Sequence, residues 1–225
     1  MQGTILANMN EYTHHVPPPC DEPVGIIYAD DHLLVVDKPA GLLSVPGRYV
    51  KDCALNRLLV DYADARVVHR LDLDTSGLLI FARSQLATSD LNRQFRERLV
   101  EKSYEAVVQG VMAESRGEID LAIAADWENR PRQIISEAGK PALTRFEVIA
   151  RDVDSSRVAL YPVTGRSHQL RIHLATIGHP ILGCDLYANE TAFKAAERLL
   201  LHARSLQFSH PETGETLNFT SPVPF

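Results

Sequence analysis

The stretch Val68-His69-Arg70-Leu71-Asp72-Leu73-Asp74-Thr75-Ser76-Gly77 sets two carboxylates and a guanidinium inside an apolar run, with Val67-Val68 at its start and Leu78-Leu79-Ile80-Phe81 after it. A buried carboxylate is costly unless it is paired, so acids at this place call for a chemical reason. Asp72 and Asp74 could do acid/base or nucleophilic work at a glycosidic centre. Extended, they would share one face; in a turn they would diverge. A structural ion pair between Arg70 and either aspartate is the plainer reading, and Thr75-Ser76-Gly77 would supply polar partners in both cases.

A second cluster is Thr164-Gly165-Arg166-Ser167-His168-Gln169-Leu170-Arg171-Ile172-His173. On a helix His168 and Arg171 share a face, as do Gln169 and His173, while Leu170, Leu174 and Ile177 pack inward. An inward arginine needs an acid, and Asp72 is the best candidate elsewhere in the chain. Taken alone, the histidines read as hydrogen-bonded structural residues. A His168/His173 metal pair lacks a third ligand at a convincing spacing. Lys102-Ser103-Tyr104 opens a strand, where the tyrosine could be core, could stack on a base or could take a proton.

These residues must be positioned by a scaffold that 225 residues can supply as one sizeable catalytic domain or two small ones. The composition, 45% hydrophobic and 23% charged, is that of a folded soluble chain. Cys20, Cys53 and Cys184 are odd in number and widely spaced, which argues against a disulfide framework or zinc site and fits a reducing compartment. With no signal pattern and no apolar run near the ~18 residues of a membrane span, a cytoplasmic protein without membrane association is expected. No Gly-rich phosphate loop, nucleophile elbow or dinucleotide fingerprint is present, so no cofactor is indicated.

The net charge of −6 alone argues against a nucleic-acid partner, but its distribution does not. Residues 1–65 hold four Lys/Arg against nine Asp/Glu, whereas residues 66–173 hold sixteen against fifteen. From Tyr161 to Pro180 there are Arg166, His168, Arg171, His173 and His179 and no acid, and Arg130, Arg132, Lys140 and Arg145 oppose only Glu137. This window reads as an anion-facing surface.

Residues 1–23, with Pro17-Pro18-Pro19, read as a flexible or surface-hugging arm. Ile26–Tyr28 and His32–Val36 are strand candidates, Leu55–Tyr62 a short helix, and Val67–Ala82 extended with the acidic motif inside it. Ser84 can cap a helix over Gln85–Leu99 whose Leu86, Leu91, Phe95 and Leu99 recur at helical spacing. Tyr104–Gly110, Leu143–Ile149 and Arg157–Val163 alternate as strands, Ser167–Ile177 is a helix closed by Gly178, and Leu199–Phe208 with Glu215–Phe219 form a hairpin. The pattern predicts an α+β domain over 24–225 with a mixed, largely antiparallel sheet flanked by helices and loops.

Taken together, His-Arg-Leu-Asp-x-x-Thr-Ser-Gly at 69–77, Lys-x-Tyr at 102–104 and Gly-Arg-Ser-His-Gln-Leu-Arg-x-His at 165–173 resemble the RluA family of pseudouridine synthases. His179-Pro180-Ile181-Leu182-Gly183 and Leu201-His202-Ala203 extend the likeness, which covers about residues 24–225. The resemblance implies the pseudouridine synthase fold, an active-site cleft across the sheet, and an isomerase that needs neither cofactor nor metal. It implies that Asp72 is the catalytic aspartate, Tyr104 the active-site tyrosine and Arg171 the arginine paired with the aspartate. Arg70 would fill the space left by an extruded nucleotide, and Asp74 falls at a variable position. Leu42–Arg48, Arg93–Arg98 and Asp126–Pro131 resemble the short, dual-specificity branch that modifies a 23S rRNA hairpin and the anticodon stem-loop of certain tRNAs. As in that branch, too few residues precede the first strand to hold an S4-type RNA-binding domain. The Arg93/Arg96 helix, the Arg130/Arg132 loop, Arg166 and His168 are the expected RNA contacts, and a monomer is expected. Two other classes stay in view: a non-catalytic RNA-binding module, and a retaining glycoside hydrolase with carboxylates about 5 Å apart.

Overall fold

The computed structural model describes residues 16–225. The first half contains β1 (Gly25–Ala29), β2 (Leu33–Lys38), α1 (Ala54–Leu58), β3 (Arg66–Val67), β4 (Ser76–Ala82), α2 (Gln85–Arg96) and β5 (Glu101–Gln109). Then come β6 (Arg116–Asp120), β7 (Ile123–Ala125), β8 (Gln133–Ile135), β9 (Leu143–Arg151) and β10 (Ser155–Pro162). The chain closes with α3 (Gln169–Thr176), α4 (Glu190–Lys194), β11 (Leu201–Ser209) and β12 (Thr216–Thr220).

One large sheet runs β1-β2-β4-β11-β5-β10-β9-β6, with β12 also on β11 and β3 also on β4, while β7 and β8 form a small sheet of their own. Every pairing is antiparallel except β4 with β11. The α+β expectation with a mixed, largely antiparallel sheet holds. The unbroken apolar run of β4 follows from its place: all seven of its residues are buried. Leu78, Ile80 and Ala82 face a core shared with Ala87 and Leu91 of α2, and Leu79 and Phe81 face a core shared with Ala54 and Leu58 of α1. A strand covered on both faces has no polar side to alternate.

The extended reading of Val67–Ala82 needs correction. The chain folds back instead: β3 pairs antiparallel with β4, Arg66 opposite Ala82 and Val67 opposite Phe81, and residues 68–75 form the loop between them. Two acids and an arginine cannot lie in a doubly buried ladder, so the motif is the loop that enters the sheet. His69 holds it there, accepting the Ile80 N–H on Nε2 at 2.9 Å with its ring 4.5 Å from that of Phe95. Burial first, and Lys102 second, pull the His69 imidazole down to about 3, which keeps it a neutral acceptor.

Ser84 caps α2 as expected, its Oγ accepting the Ala87 N–H at 3.1 Å. The helix stops at Arg96, however, and Leu86 and Leu99 are exposed. Gln94 takes the inward position, because its amide joins Ser209 N–H and C=O at 3.0 and 2.7 Å and closes the end of β11. α1 is shorter than expected and is capped by Cys53, whose Sγ accepts the Asn56 N–H. The described part of the expected arm has no regular structure, and Arg57 donates to the carbonyls of Cys20 and Glu22; residues 1–15 of that arm lie outside the described residues.

A polar chain threads the centre of the sheet: Arg198 donates to Ser76 Oγ at 2.6 Å, Ser76 Oγ meets His202 Nδ1 at 2.8 Å, His202 Nε2 meets Ser221 Oγ at 3.1 Å, and Ser221 donates to Asp37 at 2.5 Å. Beside it, Gly77 has φ +109 and pairs with Ala203; a Cβ there would lie 2.7 Å from Ala203 N and closer still to its carbonyl oxygen. Gly77→Ala should therefore cost roughly 2–4 kcal/mol by combining a clash with a forbidden backbone conformation. Urea denaturation measures this, and an unchanged midpoint would contradict the close approach.

Candidate active site

Four strands bring the sequence motifs together in one row. Gly77 of β4 is opposite Ala203 of β11, Ala203 is opposite Tyr104 of β5, and Tyr104 is opposite Leu160 of β10. The motif loop 68–75 and the start of α3 flank this row, enclosing a cleft of about 950 Å³. Arg70, Asp72, Tyr104, Arg166, His168 and Arg171 line it, so the three motifs form one site.

The turn separates the two aspartates. Asp72 C=O accepts the Thr75 N–H at 3.3 Å, and Asp72 faces the cleft with 23% of its side chain exposed, whereas Asp74 does not line the cleft. Burial, with Asp185 and Asp72 adding to it, pushes the Asp74 carboxyl up against the opposing pull of Arg171 and Lys38. Lys38 is fully buried, its Nζ donating to the carbonyls of Pro39, Leu42 and Leu73 at 2.8, 2.7 and 3.0 Å. Burial pulls that ammonium down to about 7 although Asp74 and Asp72 hold it up. Its hydrogen bond to Leu73 ties β2 to the residue between the two aspartates.

Gln169 shapes the other side. Its Oε1 accepts from Thr164 Oγ1 at 2.7 Å and from Arg166 N–H at 3.0 Å, and its Nε2 donates to Leu143 C=O and Thr144 Oγ1, both at 3.0 Å. A buried amide with four partners is fully satisfied, and this one fixes the turn that presents Arg166 and His168. His173 is structural, bonded to Thr144 Oγ1 and to Leu121 C=O, and His179 bonds Gln109 C=O. Of the acid-free window, Arg166, His168 and Arg171 reach the cleft and these two histidines do not.

The expected pairing of Arg171 with Asp72 is not found. Arg171, only 3% exposed, forms its ion pair with Asp185 and also approaches Cys184 Sγ at 3.4 Å. Asp185 comes from the turn after Gly183, close in sequence to the helix-packed segment 179–183 and so better placed than Asp72 to meet a guanidinium from α3. Burial works against the Arg171 charge, but Cys184, Asp185 and Asp72 outweigh it and hold it above its ordinary value. Among the described residues, the ion-pair contact of Asp72 is with His168, whose Nε2 lies 4.0 Å from Oδ1.

Tyr104 is half-buried, and its hydroxyl has no hydrogen-bond partner among the described residues. Burial, with Asp72 adding, pushes that hydroxyl well above its ordinary value and keeps it a neutral phenol. Arg70 is exposed, and among the described residues no ion pair or hydrogen bond occupies it. Of the expected RNA contacts, Arg96 lines the cleft at the end of α2, while Arg93 lies outside the lining, held by Asp90 and Glu97. Arg130 and Arg132 also lie outside it: Arg130 stacks on exposed Trp127 at 3.7 Å and Arg132 on Tyr187 at 5.5 Å.

Tyr187 and Asp185 were invisible as single residues between motifs. Their only signal was position, just after the recognised His179–Gly183 stretch, where Gly183 (φ +72) abuts the Arg198 carbonyl and turns the chain back to the site. No group of three or more His, Cys, Asp or Glu among the described residues could hold a metal ion, and no described helix is long and apolar enough to cross a membrane.

A mixed sheet crossed by an Asp-, Tyr- and Arg-lined cleft defines a class: a family model described as RNA pseudouridylate synthase matches residues 32–176, and the chain belongs to that family of isomerases. It is 50% identical over 212 residues to the dual-specificity RNA pseudouridine synthase RluA of Pasteurella multocida, covering 92% of this chain and 97% of that protein. The RluA protein of Escherichia coli K12 is 48% identical over the same shares. Among solved structures, human RNA pseudouridylate synthase domain containing 1 superposes with a TM-score of 0.80 at 31% identity, covering 93% of this chain and 87% of that one.

The Asp185 pair generates a prediction. Asp185→Ala leaves a buried guanidinium without its partner; full burial would make this about 3–5 kcal/mol, and the partial exposure of Asp185 reduces it to roughly 1–3 kcal/mol. Chemical denaturation measures the loss, and undiminished stability would mean that Arg171 turns to Asp72 at no cost.

Proposed function

We propose that this enzyme converts uridine to pseudouridine in two kinds of structured RNA, a 23S rRNA hairpin and a tRNA anticodon stem-loop, with Asp72 as the catalytic residue. The single observation that carries the catalytic assignment is the isolation of Asp72: it is the one aspartate of the motif that faces the cleft, and Arg171 is engaged elsewhere. Support for the dual specificity is the 48–50% identity, over 92% of the chain, to relatives whose names state it.

The reaction breaks the N1–C1′ bond, turns the uracil and forms a C5–C1′ bond; the proton leaves C5 and N1 gains one. Nothing is oxidised or reduced. Asp72 acts in its ionised form on the ribose, at C1′ or by taking the 2′ proton. Tyr104, a neutral phenol whose hydroxyl has no hydrogen-bond partner among the described residues, stacks on the detached uracil and holds it in place for loss of the C5 proton. The target base must leave its stack, at a cost of a few kcal/mol that is smallest in loops. The unoccupied Arg70 guanidinium, next to the cleft, offsets part of that by stacking where the base was. Arg96 and Arg166 at the cleft contact phosphates, with Arg93, Arg130 and Arg132 further out along the same RNA. The expected location is the cytoplasm.

Asp72→Asn should abolish tritium release from RNA carrying 5-tritiated uridine while RNA binding stays within a few-fold. Substantial turnover by the variant would sink the catalytic assignment. Transcripts of both RNA types should be converted by the wild-type enzyme, and conversion of one alone would narrow the specificity. Arg96→Ala should weaken binding to all substrates and lower the slope of log K against log salt by about 1. An unchanged slope would remove the end of α2 from the interface.

A further inference from the structure

His168 is held in an unusual way for a residue at the start of a helix. Its φ is +56, a left-handed conformation that side chains rarely adopt, and its side chain makes no capping hydrogen bond. The imidazole reaches across the site instead. Nδ1 lies 2.8 Å from Tyr187 Oη, and Nε2 points at Asp72 Oδ1 from 4.0 Å, just outside hydrogen-bond reach.

The partners of Tyr187 favour one placement of the ring proton. The Gln133 backbone N–H can only donate, and it donates to Tyr187 Oη at 2.8 Å. Among the described residues, His168 Nδ1 is the acceptor offered to the hydroxyl proton. An accepting Nδ1 places the hydrogen of a neutral ring on Nε2, facing Asp72. Burial lowers the His168 pKa, with Arg171 and Arg70 adding and with Asp72 and Asp185 opposing, which favours the neutral ring. Guanidinium groups of Arg132 and Arg171 lie over the Tyr187 ring at 5.5 and 5.6 Å and fix its place.

We infer that the chain Gln133 N–H to Tyr187 to His168 makes His168 a positioning residue: a neutral Nε2–H donor that closes on Asp72 when substrate enters and orients its carboxylate without discharging it. This rests on the reading of Asp72 as the catalytic residue and deepens it. It also moves His168 from the RNA contacts, where the sequence placed it, to the support of the aspartate. A contact too long for a hydrogen bond that tightens on substrate binding is common behaviour of such groups.

Glycine at 168 removes the donor and relieves the backbone. His168→Gly should therefore lower kcat by about 10-fold or more, leave KM within about 2-fold, and leave the melting temperature equal or higher. His168→Gln, whose amide nitrogen can occupy the place of Nε2, should recover part of kcat. In the wild-type protein, 15N NMR of the ring should report the Nε2–H tautomer, and Tyr187→Phe should shift it toward a mixture while lowering kcat. Unchanged kcat in His168→Gly, a change confined to KM, or an Nδ1–H tautomer in the wild type would each overturn the inference. Asp72→Asn assayed alongside separates the two readings. If that variant is inactive while His168→Gly is fully active, the positioning role alone fails; if Asp72→Asn is active, the catalytic assignment fails.

Discussion

The site depends on a backbone contact: the parallel seam where Gly77 of β4 meets Ala203 of β11. In an otherwise antiparallel sheet, this seam lets the motif loop and Tyr104 arrive at the same edge of the cleft. Only a residue without a Cβ fits there, and a left-handed φ is also required, so the glycine is demanded twice. The serine before it anchors the polar chain to His202 and Asp37, which makes Thr75-Ser76-Gly77 a structural part of the catalytic motif.

Above that frame the charges are sorted so that Asp72 stays free. Arg171 is taken by Asp185, Lys38 by three carbonyls, and Glu105 by Arg157 and Arg204. Each of these three buried charges has partners other than Asp72, as the cost of an unpaired buried charge demands. Among the described residues its ion-pair contact, with His168, is as long as 4.0 Å, which leaves its oxygens available to a ribose. Asp74, two residues on, sits in the buried network and shows how a single turn can assign two like residues to different work.

Much of this was legible in the chain. Ser84 announced α2, Gly178 the end of α3, and three motifs the members of the cleft. What escaped was whatever depended on contacts between distant segments. The run 67–82 read as one strand because its flanks are apolar on both sides, and nothing local says that the chain reverses between them. Leu86 and Leu99 matched a helical stripe, but Gln94 was the residue the end of β11 required. Asp185 displaced Asp72 as the partner of Arg171 because pairing is decided by geometry after folding, and a lone acid in a turn carries no pattern.

The order of strands in the sheet also bears on how the molecule comes to exist. β11 lies between β4 and β5, yet it is made after both and after every strand from β6 to β10. Without it, β1-β2-β4 and β5-β10-β9-β6 would be two half-sheets, each ending in an open edge of unpaired N–H and C=O groups. Joining them requires contacts between residues more than a hundred positions apart, such as Ser76 with His202, and such closures are slow. The enzyme's centre thus depends on the strand made late in the chain, and a chain that stops short of β11 holds all three motifs without the seam that brings them together.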